Sequence, residues 1–274
     1  DNILVDRKSC YTCPVHCKRV VEVNEEGLTV SRRYSGPEYE TVGAFGSNCG
    51  VSDIKAIAKA NEICNAHTID TIGAGNMVSG AIECAERGLL SQDLISDLDL
   101  RFGSVSGMLK LLNQMVKREG LGDILADGPK NIVDKLGAQA AACFMHVKGQ
   151  PLPLHDTRWK TGMGLGYAIS PTGAEHMANI HDIMYASEDA PTFAGAKNMG
   201  ILEPVDTLEL SPAKARLWVY LTLNKSIHNC VCICSFMPYS LGHIVRLVGA
   251  VTGWNLSDWE LLKVSERGLS MAKA

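Results

Sequence analysis

Cys10, Cys13 and Cys17 stand together in the run Cys10-Tyr11-Thr12-Cys13-Pro14-Val15-His16-Cys17, and a second knot, Cys230-Val231-Cys232-Ile233-Cys234, lies far along the chain. Three thiolates so closely spaced can wrap one face of an iron–sulfur cubane, and a remote fourth can close it. Four cysteine thiolates are the ligand set of a [4Fe–4S] cluster. A chain built around a one-electron centre is suited to electron transfer.

Rival chemistries share parts of this pattern. Four thiolates also suit tetrahedral zinc, but structural zinc sites usually show two tight pairs, not a triplet and a distant knot. Haem attachment needs Cys-x-x-Cys-His, and Pro14 follows Cys13. A radical site built on S-adenosylmethionine runs C-x3-C-x2-C, the reverse of the order here. With ten cysteines in the chain, disulfides are a further reading. We read no signal peptide, and Cys49, Cys64, Cys84 and Cys143 sit singly, mostly in apolar stretches, as buried thiols do.

The chain has 274 residues and a formal net charge of −4. That length buries a sizeable core, in two domains. The charge argues against a nucleic-acid partner, which calls for a basic stripe. Lys18-Arg19, Arg32-Arg33 and Lys117-Arg118 are isolated pairs. No apolar stretch reaches the roughly 18 residues of a membrane helix; His243 and Arg246 interrupt the one from Leu241 to Gly253. No membrane partner is expected, and the thiol inventory suits an anaerobic cytoplasmic setting.

Apolar periodicity makes the chain mainly α. Helices are expected over Asp53–Ala66 behind a Ser52 cap, Asp70–Arg87 stopping at Gly88, Ser104–Arg118, Gly122–Leu136 with a break at Gly128-Pro129, Pro212–Ile227 behind Ser211, Leu241–Val251 and Ser257–Ala272. A small N-terminal hairpin is expected from Val20–Val23 and Leu28–Ser31 around Asn24-Glu25-Glu26-Gly27. The prolines of Gly149-Gln-Pro-Leu-Pro-Leu154 mark an extended connector. This divides the chain into helical domains over 1–150 and 151–274.

Several motifs in one order carry a resemblance. After the first cysteine run come Gly36-Pro37-Glu38-Tyr39-Glu40-Thr41, Gly46-Ser47-Asn48-Cys49-Gly50, Ile69-Asp70-Thr71-Ile72 and Gly122-Asp123-Ile124-Leu125-Ala126-Asp127-Gly128. Val147-Lys148-Gly149, Leu165-Gly166-Tyr167-Ala168-Ile169-Ser170, Gly173-Ala174-Glu175-His176 and Cys234-x-Phe236 follow. Together they resemble the aldehyde ferredoxin oxidoreductase family over nearly the whole chain. The resemblance implies that family's two helical C-terminal domains, without its N-terminal β domain, so the chain is expected to be an excerpt or fragment of a longer polypeptide. It implies a [4Fe–4S] cluster beside tungsten, or molybdenum, held by two pyranopterins. It also implies oxidoreductase activity between a small aldehyde and its carboxylic acid, with ferredoxin or a similar electron carrier as partner. Homo-oligomerisation is left open.

The same resemblance assigns roles. Cys10, Cys13 and Cys17 are three metal ligands, and Cys234 the fourth, because Phe236 follows it at the family's spacing; Cys230 and Cys232 compete. Two D-x-x-G-L-(C/D) segments grip the pterins in the family. Here they read Asn65-Ala66-His67-Thr68-Ile69-Asp70 and Asn229-Cys230-Val231-Cys232-Ile233-Cys234, with both leading aspartates changed to Asn and both glycines replaced. Asn65, Asp70, Asn229 and Ile233, with Asn48, are therefore expected at the cofactor. Asp70 doubles as a candidate helix cap ahead of Thr71, Asn48 can equally serve a turn, and Cys49 is a weaker candidate metal ligand.

Glu40 is the candidate proton acceptor, with Glu38 its rival. His176 is the candidate partner of the substrate carbonyl oxygen, with His181 its rival. Arg158, in His155-Asp156-x-Arg158, is expected to face a phosphate or carboxylate, or else to form a loop salt bridge. Two other readings compete: a relative that reduces an activated acid, and an iron–sulfur electron-transfer or scaffold protein that has lost its pterins.

Overall fold

The computed structural model describes residues 3–190, 192–197 and 199–274. The chain is mainly helical and forms two compact units, Asp1–Leu154 and His155–Ala274. No helix among the described residues is long and apolar enough to cross a membrane.

The first unit opens on two antiparallel hairpins. β1 (Leu4–Lys8) pairs with β2 (Lys18–Val21), and β3 (Val23–Glu25) pairs with β4 (Leu28–Val30). The predicted hairpin is present but shorter: the turn is Glu26-Gly27, with Gly27 at φ +80°, and Val20-Val21 belong to β2. Strand β1 has no apolar alternation to announce it, because every residue in it is exposed. Val21, Val23 and Val30 cluster with Ala58 of the following helix, which anchors both hairpins.

The remainder of this unit runs α1 (Tyr39–Val42), a π-helical turn over Gly43–Ser47, α2 (Ile54–Ala66), α3 (Thr71–Glu86), α4 (Gln92–Ile95), α5 (Val105–Lys117), α6 (Gly120–Leu125), α7 (Ile132–Leu136), α8 (Ala138–Ala141), then β5 (His146–Val147) paired with β6 (Gln150–Pro151). Asp53, not Ser52, caps α2, accepting the Lys55 and Ala56 amides; its charge also complements the positive end of the helix. Ser104 caps α5, whose Met108, Leu111, Leu112 and Met115 are buried in one core with Ile57, Met77, Val78 and Ile82. Each such side chain contributes roughly 1.5–3 kcal/mol on leaving water. A Cβ on Gly75 would lie 2.5 Å from Ala44 Cβ, so the small residues here let α3 press against the π turn. The expected connector at Gly149–Leu154 contains the β6 residues.

The second unit contains α9 (Thr161–Ile169), α10 (Phe193–Lys197), α11 (Pro212–Cys230), α12 (Leu241–Thr252) and α13 (Asp258–Lys273). Ser211 caps α11 with Pro212 in its first turn, and Ser240 and Ser257 form capping boxes on α12 and α13. Helix α11 runs past the expected Ile227, which puts Asn229 and Cys230 on its last turn. One end of α11 joins a cluster of Ile180, Phe193, Ile201, Val205, Leu217 and Leu221; the other joins Ile227, Ile244, Leu261 and Leu262. Lys214 and Asp182 form a fully buried ion pair beside α9. Asp182 also accepts the Gly162 and Met163 amides, and Lys214 donates to the Asp206 carbonyl at 2.8 Å. With its lone pairs and protons thus engaged, losing either partner costs about 3–5 kcal/mol.

Candidate redox and cofactor site

The three N-terminal cysteines all lie on the loop 9–17 that closes the β1–β2 hairpin above the Lys8–Lys18 rung. The Cys13 amide donates to the Cys10 carbonyl at 3.0 Å, which tightens the first half of the loop. Thr12 and His16 adopt left-handed backbone (φ 51° and 50°), each directly before a cysteine. Such alternations turn successive N–H groups inward, a concavity that suits anionic clusters. Cys10 is exposed, and Cys13 and Cys17 are half-buried. The donor set and its backbone therefore fit an iron–sulfur group.

Cys230, Cys232 and Cys234 are all exposed. They face different surroundings. The Cys230 sulfur lies 3.6 Å from where a Cβ on Gly268 of α13 would stand. The Cys232 thiol donates to the Asn229 carbonyl at 3.9 Å. Cys234 Sγ accepts the Phe236 amide at 3.5 Å, the kind of N–H···S contact that accompanies cluster thiolates. Cys49, Cys64, Cys84 and Cys143 are buried. Burial pushes the Cys49 thiol up to about 12, and its sulfur turns to the Ala44 carbonyl at 3.4 Å. A thiol so buried stays protonated at neutral pH.

The two segments with D-x-x-G-L-(C/D) spacing share one backbone. In the first, α2 ends at Ala66, His67 caps it at φ −110°, ψ 10°, Thr68 is left-handed at φ 59°, and the Ile69 amide bonds the Cys64 carbonyl at 2.9 Å. In the second, α11 ends at Cys230, Val231 caps it at φ −103°, ψ 5°, Cys232 is left-handed at φ 56°, and the Ile233 amide bonds the His228 carbonyl at 2.9 Å. This is the Schellman helix stop, whose left-handed position ordinarily takes glycine. The missing glycines are thus the stop residues, and the turns survive without them. Ile69 and Ile233 each pack against the apolar cluster of their own unit.

The sixth positions also act alike. Asp70 accepts the Gly73 amide at 2.6 Å and caps α3, while Cys234 accepts the Phe236 amide. The Asn65 amide donates to the Tyr34 carbonyl at 3.3 Å, and Asn61 donates to the same oxygen at 3.4 Å. That bond orients the Asn65 amide. An aspartate there would set carboxylate oxygen against carbonyl oxygen. Asn229 is exposed at the end of α11, and its carbonyl accepts the Cys232 amide at 3.3 Å.

Within the first unit, Asn65 and Asp70 line a cavity of about 320 Å³ together with Glu38, Glu40, Thr41 and Thr71. Glu40, on α1, is half-buried and accepts the Leu154 amide at 2.8 Å. Glu38 is exposed and paired with Arg19 at 2.7 Å. The threonine hydroxyls of Thr41 and Thr71 bond each other at 2.8 Å on the cavity wall. Asn48, after the π turn, is not among the described residues that line this cavity. The wall offers amide, carboxylate and hydroxyl groups, a donor set that fits a polar heterocycle such as a pterin.

In the second unit His176 sits in the loop after α9, its ring centroid 4.9 Å from that of His155, which lies 4.7 Å from His181. His155 Nδ1 is 3.1 Å from Lys160 Nζ. Burial, then the charges of Lys225, His155, Lys160 and His176, depress His181 to about 3, so it is neutral near pH 7. Arg158 forms a forked ion pair with Asp156, with contacts of 2.7 and 3.1 Å, and is exposed. Of the two readings given for Arg158, the loop salt bridge is the one observed. The shared turn geometry and the histidine group were invisible as such in the sequence; the recurrence of Asn-x-x-x-Ile at 65 and 229 was the available signal.

The family described as "Aldehyde ferredoxin oxidoreductase, domains 2 & 3" matches residues 1–274. Tungsten-containing aldehyde ferredoxin oxidoreductases of Pyrococcus horikoshii and Pyrococcus furiosus are 32% and 30% identical, each over 96% of this chain and 41% of the relative. The aliphatic sulfonate oxidoreductase WOR-like subunit of Pyrococcus furiosus is 28% identical over 61% of the chain and 27% of that protein. The chain therefore spans about 41% of the length of the first two. The active site complex BamBC of benzoyl coenzyme A reductase, solved with 1,5-dienoyl-CoA, shares the fold, with a TM-score of 0.75 at 18% identity over 100% of this chain and 46% of that one.

Proposed function

Because this chain belongs to the aldehyde ferredoxin oxidoreductase family, matched over its whole length, we propose that it forms the helical part of an oxidoreductase that interconverts a small aldehyde and its carboxylic acid. The observation that carries the proposal is the duplicated helix stop at Thr68 and Cys232, kept in the two segments that hold pterins in the family. When bound, a tungsten or molybdenum bis-pyranopterin would supply the two-electron redox chemistry, and a [4Fe–4S] cluster the one-electron exits.

The chain's own residues have narrower tasks. Asn65 and Asp70 would hold the first pterin through an amide and a carboxylate, and Asn229 and the Ile233 backbone the second; Asn48 would lie near the pterin side. Cys10, Cys13, Cys17 and Cys234 would hold the cluster. Glu40, held by the Leu154 amide, would take the proton released as water adds to the carbonyl carbon. His176 would hydrogen-bond the carbonyl oxygen; at neutral pH an imidazole can both donate and accept. Ferredoxin or a similar carrier would remove the electrons one at a time.

Elemental analysis of the protein purified without oxygen tests the proposal. Iron together with tungsten or molybdenum supports it. Iron alone supports a cluster-bearing electron-transfer protein without pterins, and zinc alone defeats both.

A further inference from the structure

The strands beneath the cysteine loop carry an unusual charge pattern. In the β1–β2 ladder Arg7 faces Arg19 and Lys8 faces Lys18. Two successive rungs thus set like charges directly opposite one another, which destabilises an antiparallel pair. Every residue of β1 is exposed, and so is Lys18. Glu38 offsets Arg19, but among the described residues no carboxylate is seen paired with the Lys8 or Lys18 ammonium. In a chain of net charge −4 this is a local reversal of sign. It surrounds the base of the loop that holds Cys10, Cys13 and Cys17, and at the loop's tip Tyr11 is 96% exposed, with Val15 also exposed.

We propose that this cationic collar, with Tyr11 and Val15 at its centre, docks an acidic electron-carrier protein against the cysteine loop. An apolar centre inside a charged rim is the anatomy of a transient protein interface, and opposite charge across it speeds encounter and fixes orientation. The two rungs extend only about 7 Å along the strands, too short for a nucleic-acid track and well matched to one edge of a small protein. Successive rungs project from opposite faces of the ribbon, so an anionic surface laid over the Lys8–Lys18 face offsets the repulsion in that rung, while Glu38 offsets Arg19 on the other. The inference rests on reading the loop as cluster-bearing. Each encounter moves one electron: the reduced cluster is oxidised, the carrier is reduced, and no bond is made or broken. Two encounters clear the two electrons of one aldehyde.

The test is Lys8→Glu in the holoenzyme, assayed at low salt with an acidic ferredoxin and with a small uncharged quinone as alternative acceptor. The expected result is a fall of about five-fold or more in kcat/KM for the ferredoxin, a weaker salt dependence, and a change within about two-fold for the quinone. The swap also turns a like-charge rung into an opposite-charge one, so the melting temperature should hold or rise while carrier coupling falls, a combination that a merely structural role would not produce. Unchanged ferredoxin kinetics, or parallel losses with both acceptors, overturn the docking surface. So does loss of iron in the variant, which would assign the collar to the cluster's own charge. Arg7→Glu, on the neighbouring exposed position of β1, reverses a charge of the same collar and gives the same reading if the first variant folds poorly. Wild-type protein that binds no iron would overturn the underlying cluster assignment, before any variant is made.

Discussion

Thr68 and Cys232 hold the same left-handed backbone, φ 59° and 56°, at the same step of two helix stops, each followed by an isoleucine whose amide reaches back to a carbonyl on the last turn of its helix. A β-branched residue such as threonine seldom adopts this conformation, because its Cβ crowds the neighbouring carbonyl. The turn is nonetheless secured from both sides. The preceding helix ends on backbone bonds that only this conformation makes, and the isoleucine that follows is packed into a core. The sixth position of each segment then starts new structure by accepting an amide, through Asp70 in one case and Cys234 in the other. One device, used twice, ends a helix and presents its exposed edge.

Thr68→Gly should therefore stabilise the protein. Relief of the left-handed strain contributes about 1–2 kcal/mol, and the greater backbone freedom of glycine in the unfolded chain takes back about 0.5–1 kcal/mol. The net gain of about 0.5–1 kcal/mol corresponds to a rise in Tm of about 1–3 °C for a chain of this size. A scanning calorimetry run that shows a lower Tm would mean that the Thr68 side chain makes a compensating contact.

Much of the fold could be read from apolar period and capping residues. The helices α2, α3, α5, α12 and α13 lie within a residue or two of expectation, because Asp70, Ser104 and Ser257 sit where an N-cap belongs. Other features left no local mark. The π turn at Gly43–Ser47 has no periodic signature, although its Ala44 meets α3 where a Cβ on Gly75 would stand, at 2.5 Å. The fully buried Lys214 was invisible because its partner Asp182 lies 32 residues away, and lysine is ordinarily a surface residue. At the site, the spacing of the two segments was legible, but their shared geometry was not: Thr and Cys hide the glycine that normally announces a helix stop.

Glu40→Gln separates proton transfer from structure. Glutamine keeps an oxygen that can accept the Leu154 amide, so the change in stability should stay below about 1 kcal/mol. Removing a general base should lower kcat by about 10²–10⁴-fold. The control is Glu38→Gln, which breaks only an exposed ion pair with Arg19 and should cost less than about 1 kcal/mol, with turnover near that of the wild type. A Glu40→Gln enzyme that is fully metal-loaded and turns over like the wild type would remove Glu40 from the role.

His181 makes stability fall in acid. Its folded pKa, about 3, lies below the ordinary 6.5, mainly because it is buried and secondarily because Lys225, His155, Lys160 and His176 lie near. As pH drops below 6.5 the unfolded chain takes up a proton at this position and the folded chain does not. The contribution of neutral His181 is thus complete above pH 6.5 and declines steadily toward pH 3. Histidine NMR should show the His181 ring still neutral at pH 5, and His181→Gln should flatten the stability curve over that window. A ring that titrates near 6.5 in the folded protein would contradict the burial on which this rests.

Cys234 should be the one cysteine of its knot whose loss depletes iron. Its sulfur already accepts an amide from Phe236, a contact that stabilises a thiolate ligand. Cys230 turns toward Gly268 of α13 and Cys232 toward the Asn229 carbonyl, so neither presents its sulfur in the same way. Cys234→Ser should therefore bring the iron content of anaerobically purified protein well below that of the wild type and alter the reduced-cluster EPR signal. Cys230→Ser and Cys232→Ser should leave both unchanged within error. Serine is close to cysteine in size, so losses from misfolding are small, and circular dichroism on the same samples checks this directly. If Cys230→Ser or Cys232→Ser strips the iron and Cys234→Ser retains it, the fourth ligand lies four or two residues earlier than the Phe236 spacing indicates.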